Sequence, residues 1–391
     1  MKVNQIVIVG GGPVGMVLAL LLAKQNMAST VLEARKQGAA NLDTRALALS
    51  YGTRRIFDGR TFDGLGIWQS VAAQATVIKT IHVSQKGSFG RSLLKAQDYS
   101  QEALGYVLSY GALCTALNAA MAEYSCITVI DEAQAEAITH DAQAATVRYL
   151  RNGQSVELSS ALVVLADGGR SLEEVAGLKR DTKEYGHDAL ISKVRAELPH
   201  NNIAYERFTA QGPMALLPNG EHDFSLVWTG KKELIAPLLD LNDAEFLAQF
   251  HAQFGDRVGR FLSVEKRMTF PLKLSKLQEN DLQHLVVIGN AAQTMHPVAG
   301  QGFNVGIRDA QVLAKHIVES TALLGSVEML ANYQAERKSD TKNGLMFTDF
   351  LVNLFSNDII GLPAIRSVGL GLFDVLKPIK KHLVRKMSFG K

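Results

Sequence analysis

The motif GGGPVG (residues 10–15) places glycines in the pattern G-x-G-x-x-G directly after an apolar run, QIVIV (5–9). The glycines of the pattern are Gly10, Gly12 and Gly15. They allow a tight turn and let a pyrophosphate approach the N-terminus of the following helix. Glu33 ends the next apolar run, where a carboxylate accepts hydrogen bonds from ribose hydroxyls. The combination predicts a dinucleotide site, whereas the glycines alone would fit an ordinary turn. Glu33 disfavours a 2′-phosphate, although Arg35 leaves room for one.

A second glycine loop, GNAAQTMHPVAGQGFNVG (289–306), follows another apolar run at 285–288. Its later part turns into a helical pattern, so a helix begins with its N-terminus facing the loop. Such a helix end stabilises negative charge. Gly300 and Gly302 permit close approach to a flat ring, and Pro297 stiffens the loop.

The segment ADGGRS (166–171) follows a third buried strand and presents Asp167 at the strand end. Asp167 suits hydroxyls or phosphates, and a plain Asp-Gly turn is the alternative. Motifs of this kind occur at three separate places along the chain. They therefore favour FAD, which must be held along its whole length, over a nicotinamide nucleotide. No second G-x-G-x-x-G follows a strand, so we expect NAD(P)H to visit only transiently.

These motifs require elements that position them, and the pattern along the chain predicts an α/β fold. A Rossmann-like FAD-binding domain carries an inserted antiparallel β-sheet that forms the substrate domain, and C-terminal helices follow. We assign 1–75, 101–180 and 270–335 to the discontinuous FAD-binding domain. Residues 76–100 and 181–269 form the substrate domain, and 336–391 form a helical region with a basic tail.

The composition, with 47% hydrophobic and 20% charged residues, is that of a globular protein. No basic stripe with interleaved aromatics suggests nucleic acid. Cys114 and Cys126 show no metal or disulfide spacing, which favours the cytoplasm. Residues 359–391 hold seven basic residues and one acidic residue. This tail predicts a helix that meets the inner face of the membrane or a partner protein, with a solvated terminal helix as the alternative.

Taken together, GGGPVG with Glu33, DTRALALS (43–50), ADGGRS and the second glycine loop resemble the single-component FAD aromatic hydroxylases. The resemblance is greatest to the ubiquinone-biosynthesis hydroxylases. Within that group, ERFTAQGPMALLP (206–218), Asn290 and RKSD (337–340) are similar to the branch that hydroxylates 2-polyprenyl-6-methoxyphenol at C4. The resemblance covers nearly the whole chain.

The resemblance implies a set of FAD contacts. They are Gly10, Gly12, Gly15, Glu33, Arg35, Arg45, Asp167, Asn290, Pro297, Gly300, Gln301, Gly302, Phe303 and Asn304. The chain departs from the family at three positions. Asn290 replaces a usual Asp, Glu174 replaces an Arg that contacts nicotinamide, and Gly111 stands where an Arg often reaches FAD.

The implied reaction is reduction of FAD by NAD(P)H or another donor, addition of O2 to give a flavin C4a-hydroperoxide, and transfer of oxygen to a polyprenylphenol. His296 is a candidate for proton handling, and a loop histidine bonded to backbone is the alternative. Substrate contacts are expected from the sheet, and packing within the sheet is their alternative. They are Tyr205, Arg207, Phe208 and Trp228.

Three other functions stay open on the sequence. A flavin halogenase or prenyl reductase would share the cofactor motifs, although the W-x-W-x-I-P signature of halogenases is absent. A hydroxylase of soluble aromatic acids would need a cation for the carboxylate, for which Arg207 is the candidate. A non-catalytic member would act as a scaffold, which the intact FAD motifs oppose.

Overall fold

The structure is a computed structural model. It describes residues 4–59, 64–87, 91–175, 178, 180–278, 282–294, 301–338, 340, 380–381, 384–385 and 388–389. Its helices are α1 (Pro13–Ala23), α2 (Tyr51–Asp58), α3 (Trp68–Ala72), α4 (Tyr110–Met121), α5 (Lys232–Ile235), α6 (Asp243–Phe254) and α7 (Gln301–Glu319). Residues 327–338 are also helical. Short 3-10 turns occupy Ala39–Leu42, Ala96–Tyr99, Ala236–Leu239 and Gly289–Ala291.

The first sheet has a parallel core. Its strands are β1 (Asn4–Val9), β2 (Ser29–Glu33), β8 (Ile127–Asp131), β9 (Gln134–His140), β10 (Ala145–Arg151), β11 (Gln154–Leu165) and β18 (Leu285–Val287). The order is β8-β2-β1-β11-β10-β9, and β18 pairs with β11. Strand β11 is long and belongs to two kinds of pairing. Its first half pairs antiparallel with β10 and its second half pairs parallel with β1.

Alternation along β1 explains how this sheet is covered on both faces. Ile6 and Ile8 point into a core shared with α1, α4 and α7. Val7 and Val9 point to the other face, towards β9 and β10. Because the sheet buries both faces, its parallel strands read as continuous apolar runs.

The second sheet is the inserted one. Its strands are β5 (Thr80–Gln85), β6 (Arg91–Lys95), β12 (Arg180–Ala196), β13 (Ile203–Thr209), β14 (Gly212–Pro218), β15 (Asp223–Lys231), β16 (Phe261–Val264), β17 (Met268–Leu277) and β19 (Gln293–Thr294). The order is β19-β17-β12-β15-β14-β13-β5-β6, with β16 on β12. The pairing is antiparallel except between β13 and β5. Strand β17 crosses the predicted boundary at residue 270, so the domain bounds stay a prediction.

A third sheet joins the other two. It consists of β3 (Ala46–Ser50), β7 (Gly105–Ser109) and β4 (Thr76–Ile78) in the order β3-β7-β4. Ile78 and Val107 of this sheet share an apolar cluster with Ala204 of the second sheet. Strand β3 runs directly into α2, which lies beside α7.

The described residues of the basic tail are helical and pack onto the body of the protein. Lys380 Nζ donates to the Leu93 carbonyl at 2.8 Å. Val384 is 4% exposed and lies in the cluster with Val107. The side chain of Val384 is therefore not available for contact with lipid, and binding of the tail to the membrane stays a prediction. In the part of the chain that the structure describes, no helix is long and apolar enough to cross a membrane.

Candidate functional site

The glycine turn between β1 and α1 is closed tightly on its neighbours. Gly10 has φ +114°, and a Cβ there would lie 2.6 Å from the backbone of Asp167. A Cβ on Gly15 would overlap the Gly10 carbonyl oxygen. Gly12 caps α1 without a side-chain hydrogen bond. The N–H groups of the first turn therefore remain available, as a pyrophosphate requires.

Glu33 lies at the end of β2, beside this turn. Its Oε2 accepts from the Gly11 N–H at 2.9 Å, and its Oε1 accepts from Arg35 Nε at 2.7 Å. Burial raises the pKa of Glu33, but the hydrogen bonds and charge of Arg35 outweigh it, so the pKa is lowered overall. Glu33 is thus an ionised acceptor at neutral pH, which fits ribose hydroxyls.

Two arginines gather around Tyr110, close to the turn. The Arg45 guanidinium lies 5.5 Å from the Tyr110 ring centroid and pairs with Asp43 at 2.5 Å. A hydrogen bond to Glu33, and a further one to Tyr110, raise the pKa of Arg35 despite its burial. The Tyr110 hydroxyl lies 3.3 Å from the position of a Cβ on Gly12. The cluster places cationic charge where a dinucleotide would lie.

The sequence alone did not indicate Tyr110 as a site residue. The sequence feature that could have pointed to Tyr110 is the neighbouring Gly111, which stands where the family often has an arginine. A Cβ at Gly111 would overlap the Asn41 carbonyl oxygen. The backbone leaves no room for a side chain at 111, and the ring of Tyr110 faces the site instead.

Asp167 follows β11 and holds its own turn. Its Oδ1 accepts from the Gly169 N–H at 2.8 Å, and its Oδ2 accepts from the Ser171 N–H at 2.7 Å. This is the arrangement of an Asp-Gly turn. Each oxygen has a further lone pair, so a role in binding cofactor hydroxyls stays a prediction.

The N-terminal part of α1 lies against the N-terminal part of α7 and against Gly289, which precedes α7. Val14 of α1 lies 3.0 Å from the position of a Cβ on Gly306 and 3.4 Å from one on Gly289. These helices follow β1 and β18, two strands of the parallel core. Ligands of doubly wound sheets bind at this carboxyl edge. Both positive helix ends therefore face one region.

Asn304 lies in the first turn of α7, and its side chain binds protein groups. Its Oδ1 accepts from the Ser50 N–H and the Thr53 hydroxyl, both at 2.7 Å. Its Nδ2 donates to the Ala48 carbonyl at 2.9 Å. These bonds fix α7 against β3 and α2, and the predicted contact of Asn304 with the cofactor stays a prediction.

The remaining loop residues divide into two groups. Asn290 is exposed, its Oδ1 lies 3.6 Å from the position of a Cβ on Gly302, and its carbonyl accepts from Arg180 at 3.2 Å. Phe303 packs against the core beneath α7. His296, Pro297 and Gly300, and the side chain of Gln301, lie outside the described residues. Their predicted roles stay predictions.

A buried ion network lies behind the glycine loop. Asp309 Oδ2 accepts from the Gly289 N–H at 2.9 Å, and Asp309 Oδ1 accepts from Arg337 Nε at 2.7 Å. Asp340 pairs with Arg308 at 2.7 Å and with Arg337 at 2.5 Å. The RKSD motif, noticed only as a resemblance, thus anchors the start of the loop.

The second sheet presents a partly exposed face, which we call the inner face. Directly paired residues of neighbouring strands point the same way. The pairing therefore forms one row across five strands, made of Ile191, Val227, Ala215, Glu206 and Val83. All five are partly exposed. Two residues away on the same face, Ala204 packs with Ile78 and Val107 of the third sheet, so the inner face is turned towards the third sheet.

Three of the four predicted substrate residues lie on the opposite face. Trp228 is 2% exposed and packs against Phe246 and Phe250 of α6. Arg207 Nε donates to the Gln253 carbonyl at 3.2 Å, and Tyr205 packs against Phe254. Strand alternation places these side chains on the face that α6 covers, opposite the inner face, and their role in binding substrate stays a prediction.

Phe208 and Glu206 alternate with those residues and share the inner face. Burial raises the pKa of Glu206 to about 8. The sequence alone did not indicate Glu206, because period-2 alternation tells which residues share a face but not which face is inner. Among the described residues, no group of three or more His, Cys, Asp or Glu could hold a metal ion.

Comparison with known proteins agrees with this geometry. The chain matches the family described as FAD binding domain over residues 3–348. It is 34% identical to the ubiquinone hydroxylase UbiL of Rhodospirillum rubrum, covering 98% of this chain and 89% of that protein. It is 28% identical to the 3-demethoxyubiquinol 3-hydroxylase of Escherichia coli, covering 98% and 97%.

The fold is also found in a solved structure. The p-nitrophenol 4-monooxygenase PnpA of Pseudomonas putida superposes with a TM-score of 0.81 at 16% identity, covering 99% of this chain and 98% of that chain. The predicted α/β FAD-binding fold with an inserted sheet is confirmed. The chain therefore belongs to the FAD-dependent hydroxylases of ubiquinone biosynthesis, and it is a flavoprotein monooxygenase that uses O2 and a reduced nicotinamide.

Proposed function

We propose that this protein hydroxylates a polyprenylated phenol of ubiquinone biosynthesis, at C4 of 2-polyprenyl-6-methoxyphenol. The observation that carries the proposal is the inner face. Four of the five residues in its row, Ile191, Val227, Ala215 and Val83, have apolar side chains, and the row is partly exposed. An aromatic ring with a prenyl chain suits such a surface.

FAD supplies the redox chemistry with O2. On this proposal the turn at Gly10, Gly12 and Gly15 receives the pyrophosphate, and Glu33 receives the ribose hydroxyls. Arg35 and Arg45 would neutralise phosphate charge, and Asp167 would accept hydrogen bonds from cofactor hydroxyls. The N-terminus of α7 would favour negative charge on a group bound in front of it.

The protein groups around the phenol orient it and exclude water. Hydroxyl transfer requires water exclusion, because water diverts the oxygen to peroxide. The inner face supplies an apolar wall for this purpose. The third sheet closes one end of that wall through Ile78 and Val107.

The position of hydroxylation rests on the similarity of residues 206–218, Asn290 and RKSD to the C4 branch. The relative named 3-demethoxyubiquinol 3-hydroxylase makes another ring position the competing assignment. Deleting the gene and identifying the prenylated phenol that accumulates in the lipid extract tests both. Accumulation of 2-polyprenyl-6-methoxyphenol supports C4, and a demethoxylated quinone moves the protein to a sister step. Normal quinone levels would contradict a role in this pathway.

The position of Arg207 disfavours hydroxylation of a soluble aromatic acid. That function needs a cation near the ring, and Arg207 was the candidate. Arg207 lies on the face covered by α6 and donates to Gln253 and Ser84. A scaffold without catalysis is tested by the yellow colour of the purified protein, since a colourless protein would favour it.

A further inference from the structure

Glu206 stands in the middle of the inner face. Its directly paired neighbours are Ala215 and Val83, on β14 and β5. On its own strand, Ala204 and Phe208 flank it on the same face. All four side chains are uncharged, so the carboxyl of Glu206 has apolar immediate neighbours on this face.

The carboxyl of Glu206 has no partner among the described residues. No hydrogen bond or ion pair involves it there, whereas each oxygen of Asp309 is hydrogen-bonded. Lys193 and Asp223 lie on the same face, on β12 and β15, and they pair with each other at 3.3 Å. The facing residues of the third sheet, such as Ile78 and Val107, are apolar.

A carboxyl without a partner in apolar surroundings lowers the stability of the folded protein. Ionisable side chains with such perturbed surroundings are concentrated at functional sites. Burial raises the pKa of Glu206 to about 8, which lies near the working pH, where a general base is most effective.

We propose that Glu206 is a catalytic residue that accepts the hydroxyl proton of the bound phenol during hydroxylation. This inference rests on the proposed function, because it requires a phenol on the inner face. It names the proton acceptor of the reaction, which the sequence did not indicate.

The step is a proton transfer that prepares the ring. The phenol O–H bond breaks, an O–H bond forms on Glu206, and the electron pair stays on the phenolate oxygen. The electron-rich ring carbon then takes one oxygen atom of O2. The other oxygen atom leaves as water, for which NAD(P)H supplies the two electrons and, together with one proton from solvent, the two hydrogens. The ring C–H bond breaks as the new C–O bond forms and its proton passes to the new hydroxyl, while Glu206 returns its proton to the first hydroxyl.

The test compares the wild-type holoenzyme with Glu206→Gln, which keeps the shape of the side chain and removes the base. Product formation is measured against pH with a short-chain 2-prenyl-6-methoxyphenol and with a ring-fluorinated analogue whose phenol is more acidic. FAD content and circular dichroism check folding. Glu265→Gln, which removes a carboxylate that is 61% exposed at the sheet rim, is the matched control.

We expect Glu206→Gln to lower kcat/KM by about a hundredfold or more. The loss should be at least tenfold smaller for the acidic analogue, because a phenol that ionises by itself needs no base. The wild-type pH profile should rise near pH 8, and in the variant the rise should move towards the pKa of a free phenol, about 10. If Glu206 had a purely structural role, the substitution would lower kcat/KM equally for both substrates and would leave the pH profile unchanged. That result would overturn the inference.

Two further outcomes separate this inference from the proposed function. If the wild type hydroxylates the phenols and Glu206→Gln does so equally fast, only the role of Glu206 is wrong. If the wild type binds FAD and oxidises NAD(P)H but hydroxylates none of the phenols, the proposed function is wrong and the inference fails with it.

Discussion

The carboxylate of Asp309 accepts a hydrogen bond from the backbone N–H of Gly289, with an N–O distance of 2.9 Å. Asp309 lies in α7, just after the glycine loop, and Gly289 is the first residue of that loop. This bond therefore fixes the two ends of the loop against each other. Arg337 Nε donates to the other oxygen of Asp309 at 2.7 Å, and its Nη1 to Asp340 at 2.5 Å.

Replacing Arg337 by Met should destabilise the protein strongly. The change leaves the carboxylates of Asp309 and Asp340 with fewer partners in a buried place, where breaking a pair costs about 3–5 kcal/mol. Urea unfolding at pH 7 measures the loss. The matched control is Arg260→Met, since Arg260 pairs with Glu197 on the surface at 76% exposure. We expect a much smaller cost there, because water and salt screen this exposed ion pair. Equal costs would contradict a structural role of the network.

The substitutions Gly10→Ala and Gly66→Ala should distinguish the effect of backbone strain from the effect of a steric clash of the added Cβ. Both glycines have positive φ, +114° and +77°. A Cβ at Gly10 would meet the Asp167 backbone at 2.6 Å, whereas one at Gly66 meets nothing within 4 Å. Gly66→Ala should cost about 1–2 kcal/mol and keep its FAD. Gly10→Ala should lose FAD, measured by flavin absorbance. Retention of FAD by both variants would show that the turn tolerates a side chain.

Glu206 should make stability fall as the pH rises. Its pKa in the folded protein is about 8, above the value of about 4.3 for an unfolded chain. Between these values the folded state binds the extra proton, so each pH unit removes up to about 1.4 kcal/mol of unfolding free energy. Urea unfolding from pH 5 to 8 should show a shallower decline for Glu206→Gln. Identical slopes would mean that Glu206 ionises normally in the folded protein.

The basic tail should bind anionic lipid through charge. Lys381 and Arg385 are exposed and one helical turn apart, while Val384 and Ser388 are buried against the body. The double change Lys381→Glu and Arg385→Glu should weaken sedimentation with anionic vesicles and leave unfolding unchanged. Truncation is the poorer test, because it also removes the buried contacts. Undiminished binding to the vesicles would show that these charges are not the contact.

Local patterns in the sequence determined the cofactor fold. The strand, glycine turn and helix at 5–23 and the carboxylate of Glu33 act within short stretches of chain, where periodicity and glycine geometry decide the structure. The comparisons confirmed the FAD-binding fold and the family. The similarity of RKSD to the family was visible as well, although its meaning was not.

Tertiary structure alone decided which side chains of the second sheet lie on the inner face. Alternation in β13 separates Tyr205 and Arg207 from Glu206 and Phe208, but only the packing of α6 shows which pair is covered. Likewise, the bond from Gly289 to Asp309 and the bonds from Ser50 and Thr53 to Asn304 join residues that are far apart in the chain. Such contacts arise when helices and sheets pack, and no local pattern specifies their partners.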